Sequence, residues 1–252
     1  MNDDGFRGRV FLVTGSGRGL GAAVARAAGA ERARVAVNCL QQAKPIESLA
    51  GEIERAGGES LAVRADVRQF AEARALVERV IARWGRIDVL VNTVGDFHWE
   101  ALVELEQEAW RRVISSNLDS VFHMCRLVVP HMRERRFGRI VNFATVGAAA
   151  TQGEPRMAAY CAAKAGVVAL SRALALEEAR SGITVNVVSP GLLRDEAVGA
   201  KATPNGMALG QRVPVGHVGA AADVVRAVLF FASPAADFVT GQVIEVAGGA
   251  RT

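Results

Sequence analysis

Val10-Phe11-Leu12-Val13-Thr14 runs straight into Gly15-Ser16-Gly17-Arg18-Gly19-Leu20-Gly21, and from there into an alanine-rich stretch that continues to Gly29. The first five residues are apolar and β-branched without a polar interruption, the pattern of a strand buried on both faces. Gly15 suits the sharp turn that must follow. Gly17 or Gly19 lets the backbone approach a bulky anion, and Gly21 lets a helix pack close to the sheet. A helix starting at Leu20 presents unpaired N–H groups and a positive dipole end to that anion. A glycine-rich turn alone is weak evidence, but one that closes the first strand and opens the first helix is the arrangement a dinucleotide pyrophosphate requires.

The same alternation continues outward from this point. Ala33–Asn38, Leu61–Arg64, Ile87–Asn92, Arg139–Phe143, Thr184–Val188 and Val243–Val246 read as further strands. Leu20–Gly29, Pro45–Ala56, Gln69–Trp84, Gln107–Met132, Met157–Arg180 and Ala221–Ala232 carry helical period. Apolar strands that alternate with amphipathic helices imply a parallel sheet covered on both faces. No composition break divides the 252 residues, so one domain is expected over 1–252. The stretch Leu192–His217 is the least regular, with Gly199, Pro204, Gly206, Gly210 and Pro214; it follows a strand and fits either a substrate lid or a surface excursion.

Charge and cysteine usage narrow the functional classes. The net charge of +4 is mild, and the densest basic cluster, Arg133, Arg135, Arg136 and Arg139, is short and broken by Glu134, so no nucleic-acid surface is expected. Cys39, Cys125 and Cys161 are odd in number and lack CxxC spacing, which argues against a disulfide framework or a metal centre. No run reaches the ~18 uninterrupted apolar residues of a membrane span. A cytoplasmic protein without a membrane partner is the expectation.

Tyr160 is the only tyrosine in the chain, and Lys164, four residues on, is one of three lysines. On a helix the two share a face. A cation about 4 Å from the phenol is worth roughly 4 kcal/mol at an effective dielectric near 20, enough to lower its pKa by about three units and make it a proton donor at neutral pH. The same spacing also fits a half-buried helix tyrosine with a solvated lysine. Cofactor choice follows from charge. The second strand ends Val37-Asn38-Cys39-Leu40-Gln41 without the acid that reads an unmodified ribose, while Arg18 in the glycine turn suits a 2′-phosphate. NADP(H) is therefore expected over NAD(H), with Asn38 beside the ribose.

Together these residues resemble the short-chain dehydrogenase/reductase family along essentially the whole chain. The resemblance rests on Thr14-Gly15-x-x-x-Gly19-x-Gly21, Asp66-Val67, Asn92-Thr93-Val94-Gly95, Asn117, Tyr160-x-x-x-Lys164 and Asn186-Val-Val-Ser-Pro190-Gly191, in family order. Length and the Thr240-Gly241-Gln242…Gly248-Gly249 ending resemble the 3-oxoacyl-carrier-protein-reductase-like subgroup. The resemblance implies a Rossmann-type, doubly wound, parallel seven-stranded α/β sheet and an oxidoreductase acting on a ketone or secondary alcohol, including a 3-oxoacyl thioester. It implies that Tyr160 exchanges the proton, Lys164 holds the nicotinamide ribose and Asn117 seats a relay water. It assigns the cofactor cleft to Gly15, Ser16, Gly17, Arg18, Gly19, Leu20, Gly21, Asp66, Val67, Asn92, Gly95, Pro190 and Gly191. A homotetramer or homodimer is implied as well.

Departures from the family pattern fall near the reacting end. A threonine, Thr145, stands where family members usually carry a serine, and it lies fifteen rather than thirteen residues before Tyr160, which places two extra residues in the Gly147–Arg156 loop. Its hydroxyl can still donate to a carbonyl, with a stiffer χ1 and an added methyl. Asn92-Thr93-Val94-Gly95 replaces Asn-Asn-Ala-Gly, and Leu192-Leu193-Arg194-Asp195 lacks the usual carboxamide-binding threonine. Asp96, Phe97, His98 and Trp99 are candidates for the entrance to the substrate pocket. A pteridine or folate reductase, and a catalytically weak NADP-binding regulatory protein, are the competing readings.

Overall fold

A computed structural model describes residues 5–40, 43–194 and 213–250. Seven parallel strands form one sheet in the order β3-β2-β1-β4-β5-β6-β7. They are β1 (Val10–Thr14), β2 (Arg34–Cys39), β3 (Glu59–Arg64), β4 (Val89–Asn92), β5 (Gly138–Phe143), β6 (Ile183–Pro190) and β7 (Val243–Val246). The helices are α1 (Gly19–Ala30), α2 (Ala43–Arg55), α3 (Phe70–Trp84), α4 (Gln107–Ile114), α5 (Ser120–Arg135), α6 (Ala158–Glu178) and α7 (Ala221–Ala232). Strand order reverses between β1 and β4, and this opens a crevice at the carboxyl ends of the strands.

Alternation along β1 shows why the strands are apolar throughout. Phe11 and Val13 enter the core beneath α1, α2 and α7, while Val10 and Leu12 enter the core beneath α3, α5 and α6. A side-chain period of two thus feeds two apolar layers, and no strand residue of β1 is left for solvent. β7 is different, since its residues are half-buried or exposed at the sheet edge. Helix α6 is long and apolar enough to cross a membrane by length and composition. It packs on β5 and β6 with Val167, Val168 and Ala175 buried, and it carries buried Lys164. It is a core helix.

The expected elements are all present, with shifts at their ends. The single helix expected over Gln107–Met132 is interrupted. A wide π turn at Ser115–Asp119 separates α4 from α5, and α5 continues through Pro130 to Arg135. One wide turn adds a residue without ending the apolar stripe, so hydrophobic periodicity alone cannot reveal it. The lid expected over 192–217 falls mostly on 195–212, outside the described residues.

Gly21 ties the fold to the crevice. A Cβ there would stand 2.5 Å from Thr93 Oγ1 and 2.8 Å from the Gly15 carbonyl oxygen. That hydroxyl is itself committed, donating to the Thr14 carbonyl at 2.6 Å. Gly21→Ala is expected to cost about 1–3 kcal/mol, because backbone on one side and a bonded hydroxyl on the other must move. Urea unfolding of the two proteins measures it, and an unchanged midpoint would remove the packing argument.

Candidate active site

The glycine turn is held from below by one side chain. Asn38, at the end of β2, is almost fully buried, and its amide nitrogen donates to the carbonyls of Val63 at 3.1 Å and Ala65 at 3.0 Å. Its amide oxygen accepts from Gly15 N–H at 3.4 Å, and its backbone pairs with Ser16 in both directions. Asn38, expected in the cofactor cleft, thus has its side chain beneath the turn. Both ends of the side chain are spent joining β2, β3 and the turn, so Asn38 shapes the site through Gly15 and Ser16. Arg18 precedes α1 in extended backbone, with an exposed side chain and no ion pair among the described residues. No acidic side chain occupies the first turn of α1, so the amides of Gly19, Leu20 and Gly21 face the crevice without a competing anion.

Asp66 and Val67 follow β3. The Arg68 guanidinium grips the Asp66 carboxylate through bonds of 2.8–3.1 Å, and Arg68 N–H adds another at 3.0 Å. These bonds hold the carboxyl below its ordinary pKa against the opposing effect of burial. The Asp66 backbone N–H donates to Glu72, and the Val67 carbonyl meets the His123 ring at 3.1 Å. This corner is thus tied by hydrogen bonds to α3 and α5.

At the centre, β4 ends in Asn92, whose amide donates to Asn142 Oδ1 at 2.8 Å, while Asn142 in turn donates to Ser171 on α6. The bulkier Thr93 keeps a bridging role through its bond to Thr14 on β1. Gly95 lies where three elements meet. A Cβ on it would stand 2.5 Å from Asn117 Oδ1 and 3.6 Å from Lys164 Nζ. Asn117 sits in the π turn, fully buried, and donates to the carbonyls of Asp96 at 2.8 Å and Val113 at 2.9 Å. Its Oδ1 is buried with no protein partner among the described residues.

Tyr160 and Lys164 lie on the first turns of α6. Lys164 Nζ donates to the Phe143 carbonyl at 2.9 Å and stands 5.6 Å from the centre of the Tyr160 ring. The structure reverses the expected lowering of the phenol pKa. Burial pushes Tyr160 up to about 12, with a smaller contribution from Cys161, and burial brings Lys164 down to about 8. Desolvation is the largest cause of both shifts, and the ammonium makes its hydrogen bond to the strand carbonyl of Phe143.

Thr145 follows β5, half-buried, two residues beyond the carbonyl that anchors Lys164. Its own carbonyl accepts from Ala148 N–H at 3.1 Å. Glu245, on the edge strand β7, accepts from Gly147 N–H at 2.9 Å and fixes the start of the lengthened loop. Pro190 ends β6, and Gly191 N–H bonds the Val246 carbonyl at 3.0 Å. Phe97 meets Tyr160 edge-on, with ring centres 5.2 Å apart at 76°. His98 is paired with Glu100 at 2.9 Å.

The site residues read from the sequence lie at the carboxyl ends of β1, β3, β4, β5 and β6 or on the helices that follow them, with the Asn38 side chain beneath the glycine turn. Sequence reasoning misses Asn142, Ser171 and Glu245. Each acts through a partner 29 to 98 residues away, and no local spacing marks such pairs.

A nucleotide turn at the sheet's reversal point and a half-buried tyrosine beside a buried lysine across the crevice define a dinucleotide-dependent oxidoreductase site. The chain belongs to the short-chain dehydrogenase/reductase family, and the family model described as enoyl-(acyl carrier protein) reductase matches residues 15–251. The chain is 35% identical over 238 residues to the 3-oxoacyl-[acyl-carrier-protein] reductase FabG of Staphylococcus aureus strain Mu50, covering 94% of this chain and 96% of that one. It is 35% identical over 246 residues to the FabG of Escherichia coli K12, with 97% and 98% covered. A solved structure described as a short-chain alcohol dehydrogenase from Sinorhizobium meliloti 1021 superposes with a TM-score of 0.89 at 27% identity, covering 98% of this chain and 97% of that one.

Proposed function

We propose that the protein is an NADPH-dependent carbonyl reductase and alcohol dehydrogenase acting on a ketone or secondary alcohol, a class that includes 3-oxoacyl thioesters. The observation that carries this reading is the convergence of Tyr160, Lys164 and Asn117 Oδ1 near Gly95, at the strand ends where the glycine turn also opens. The crevice fits a dinucleotide: glycine backbone and open helix amides for the pyrophosphate, Arg18 for a 2′-phosphate, Asp66 and Val67 for adenine, and Lys164 for the nicotinamide ribose. When bound, the reduced dinucleotide supplies the hydride that reaches the carbonyl carbon.

The chain's own groups do the rest. Tyr160, neutral at pH 7, donates its proton to the carbonyl oxygen as negative charge develops there. The Thr145 hydroxyl donates a second hydrogen bond to the same oxygen. Lys164 passes a proton to the phenolate and regains one from bulk solvent through a water that donates a hydrogen bond to Asn117 Oδ1. Cysteines that form no disulfide support a cytoplasmic setting. Exposed Leu176, Phe230 and Phe238, beside the half-open strand β7, support a homotetramer or homodimer.

The direct test is NADPH oxidation measured across ketones and 3-oxoacyl thioesters; tight NADPH binding with no turnover of any would sink the reading. Arg18→Ala is expected to lower kcat/KM with NADPH about 10- to 100-fold and with NADH only a few-fold. Equal loss with both cofactors would place Arg18 outside the 2′-phosphate site. Thr145→Val keeps the shape and removes the hydroxyl, so kcat is expected to fall about 10²-fold. Activity within a few-fold of wild type would reassign Thr145 to packing.

A further inference from the structure

Phe97 and Trp99 are large apolar side chains left about half exposed, at 50% and 52%, and Phe97 lies against Tyr160. Their rings lie 6.2 Å apart at 49°, and Phe97 continues the series by its edge-on contact with Tyr160. The segment that bears them is not free to fold the rings away. Asp96 N–H bonds Ser116 Oγ at 3.1 Å, and the Asp96 carbonyl accepts from Asn117 at 2.8 Å. Arg112 holds the Asp96 carboxylate at 2.9 Å. Glu100 N–H donates to the carbonyl of Arg156, which takes up a left-handed backbone (φ 65°) just before α6. The segment bearing the rings is thus tied both to the π turn and to the approach to α6. After β6 and before α7, Leu192 and Val215 are 41% and 57% exposed.

We propose that Phe97 and Trp99 form a preorganised aromatic wall that selects substrates carrying a flat, neutral ring next to the reacting carbonyl or carbinol. The assignment rests on the reading of Tyr160 as proton donor. Exposed aromatic rings held rigid against a reacting phenol favour a ring over a flexible chain of equal apolar area, because aromatic pairs gain from edge and face contacts beyond area alone. The surroundings also disfavour an anionic substrate. The adjoining groove is lined by Glu100, Glu104, Glu106 and Glu108 against only Arg112 and His98.

The test compares acetophenone with 2-octanone, two ketones of equal carbon count, using NADPH and the intact protein. The kcat/KM ratio of the aryl to the alkyl ketone is expected to be on the order of 10 in wild type. It is expected to fall to about 1 in Phe97→Leu/Trp99→Leu, which keeps apolar bulk and removes both rings. Because each ratio is taken within one preparation, partial misfolding of the variant cancels. A wild-type ratio near 1, or a ratio unchanged by the double substitution, overturns the wall. Tyr160→Phe separates the two claims: if it still reduces both ketones, the proton-donor reading fails. If neither ketone turns over in wild type, saturation-transfer NMR of acetophenone and 2-octanone on the NADP-loaded protein decides. Saturation that favours the aryl ring in wild type and disappears in the double variant supports the wall. Equal saturation of both ketones overturns it.

Discussion

Tyr160→Phe is expected to lower kcat/KM for ketone reduction by about 10³–10⁴-fold while NADPH affinity stays within a few-fold of wild type. The substitution removes one oxygen and leaves the ring that packs against Phe97. No protein hydrogen bond depends on that oxygen among the described residues, so the structural cost is small. The pH profile adds a second check. Burial holds the phenol protonated through the neutral range, with its pKa pushed up to about 12 without cofactor. Reduction needs the protonated form and is expected to be flat around pH 7. Alcohol oxidation needs the phenolate, so its rate is expected to rise with pH, reaching its plateau below 12 to the extent that bound cofactor and Lys164 stabilise the phenolate. Stopped-flow rates in both directions measure this. An oxidation rate that falls with rising pH, or a Tyr160→Phe variant within tenfold of wild type, would remove Tyr160 from proton transfer.

Lys164→Met is expected to lose about 10²–10³-fold in activity and yet melt at a higher temperature than wild type at pH 7 without cofactor. Lys164 is only 5% exposed, and burial alone brings its pKa from 10.5 to about 8. A folded-state pKa below the unfolded one means that the unfolded chain binds more protons, so wild-type stability rises with pH across that interval. The penalty is full below about 8 and is relieved as pH climbs toward 10.5. It amounts to about 3 kcal/mol, from which the lost bond to the Phe143 carbonyl takes back a part. A net gain of about 1–2 kcal/mol corresponds to a rise of roughly 2–8 °C for a chain of this size. The gap between the two melting curves is expected to narrow between pH 8 and 10. A variant that melts lower at pH 7, or a gap that widens with pH, contradicts the burial argument.

Much of this is legible in the sequence, for reasons particular residues make plain. Val10–Thr14 and Gly15–Gly21 announce their structures locally, because a strand buried on both faces and a turn with several glycines have few other uses. The spacing of Tyr160 and Lys164 likewise fixes a shared helix face. What spacing cannot convey is solvent. A cation beside the phenol predicts a lowered pKa, whereas desolvation is the larger effect on both groups and sets the direction for each. The π turn that seats Asn117 is hidden inside a periodic stretch. Lys164 depends on a strand carbonyl 21 residues earlier, and Gly147 on a carboxylate 98 residues later. Such partners are set by the order of strands in the sheet.

Asn38 carries a last consequence, for anyone wishing to redesign cofactor use. An acid introduced at that position looks like the shortest route toward reading an unmodified ribose. Yet the Asn38 amide supplies hydrogens to two carbonyl oxygens, of Val63 and Ala65. A carboxylate there would face those oxygens with nothing to give, in a place water does not reach. The neighbouring Cys39 is the better site. It is half-exposed, and its Cβ lies 3.2 Å from where a side chain on Gly17 would begin. Specificity here can be rewritten one residue further along, at a half-exposed side chain whose backbone carbonyl goes on bonding Ala65 N–H at 3.0 Å.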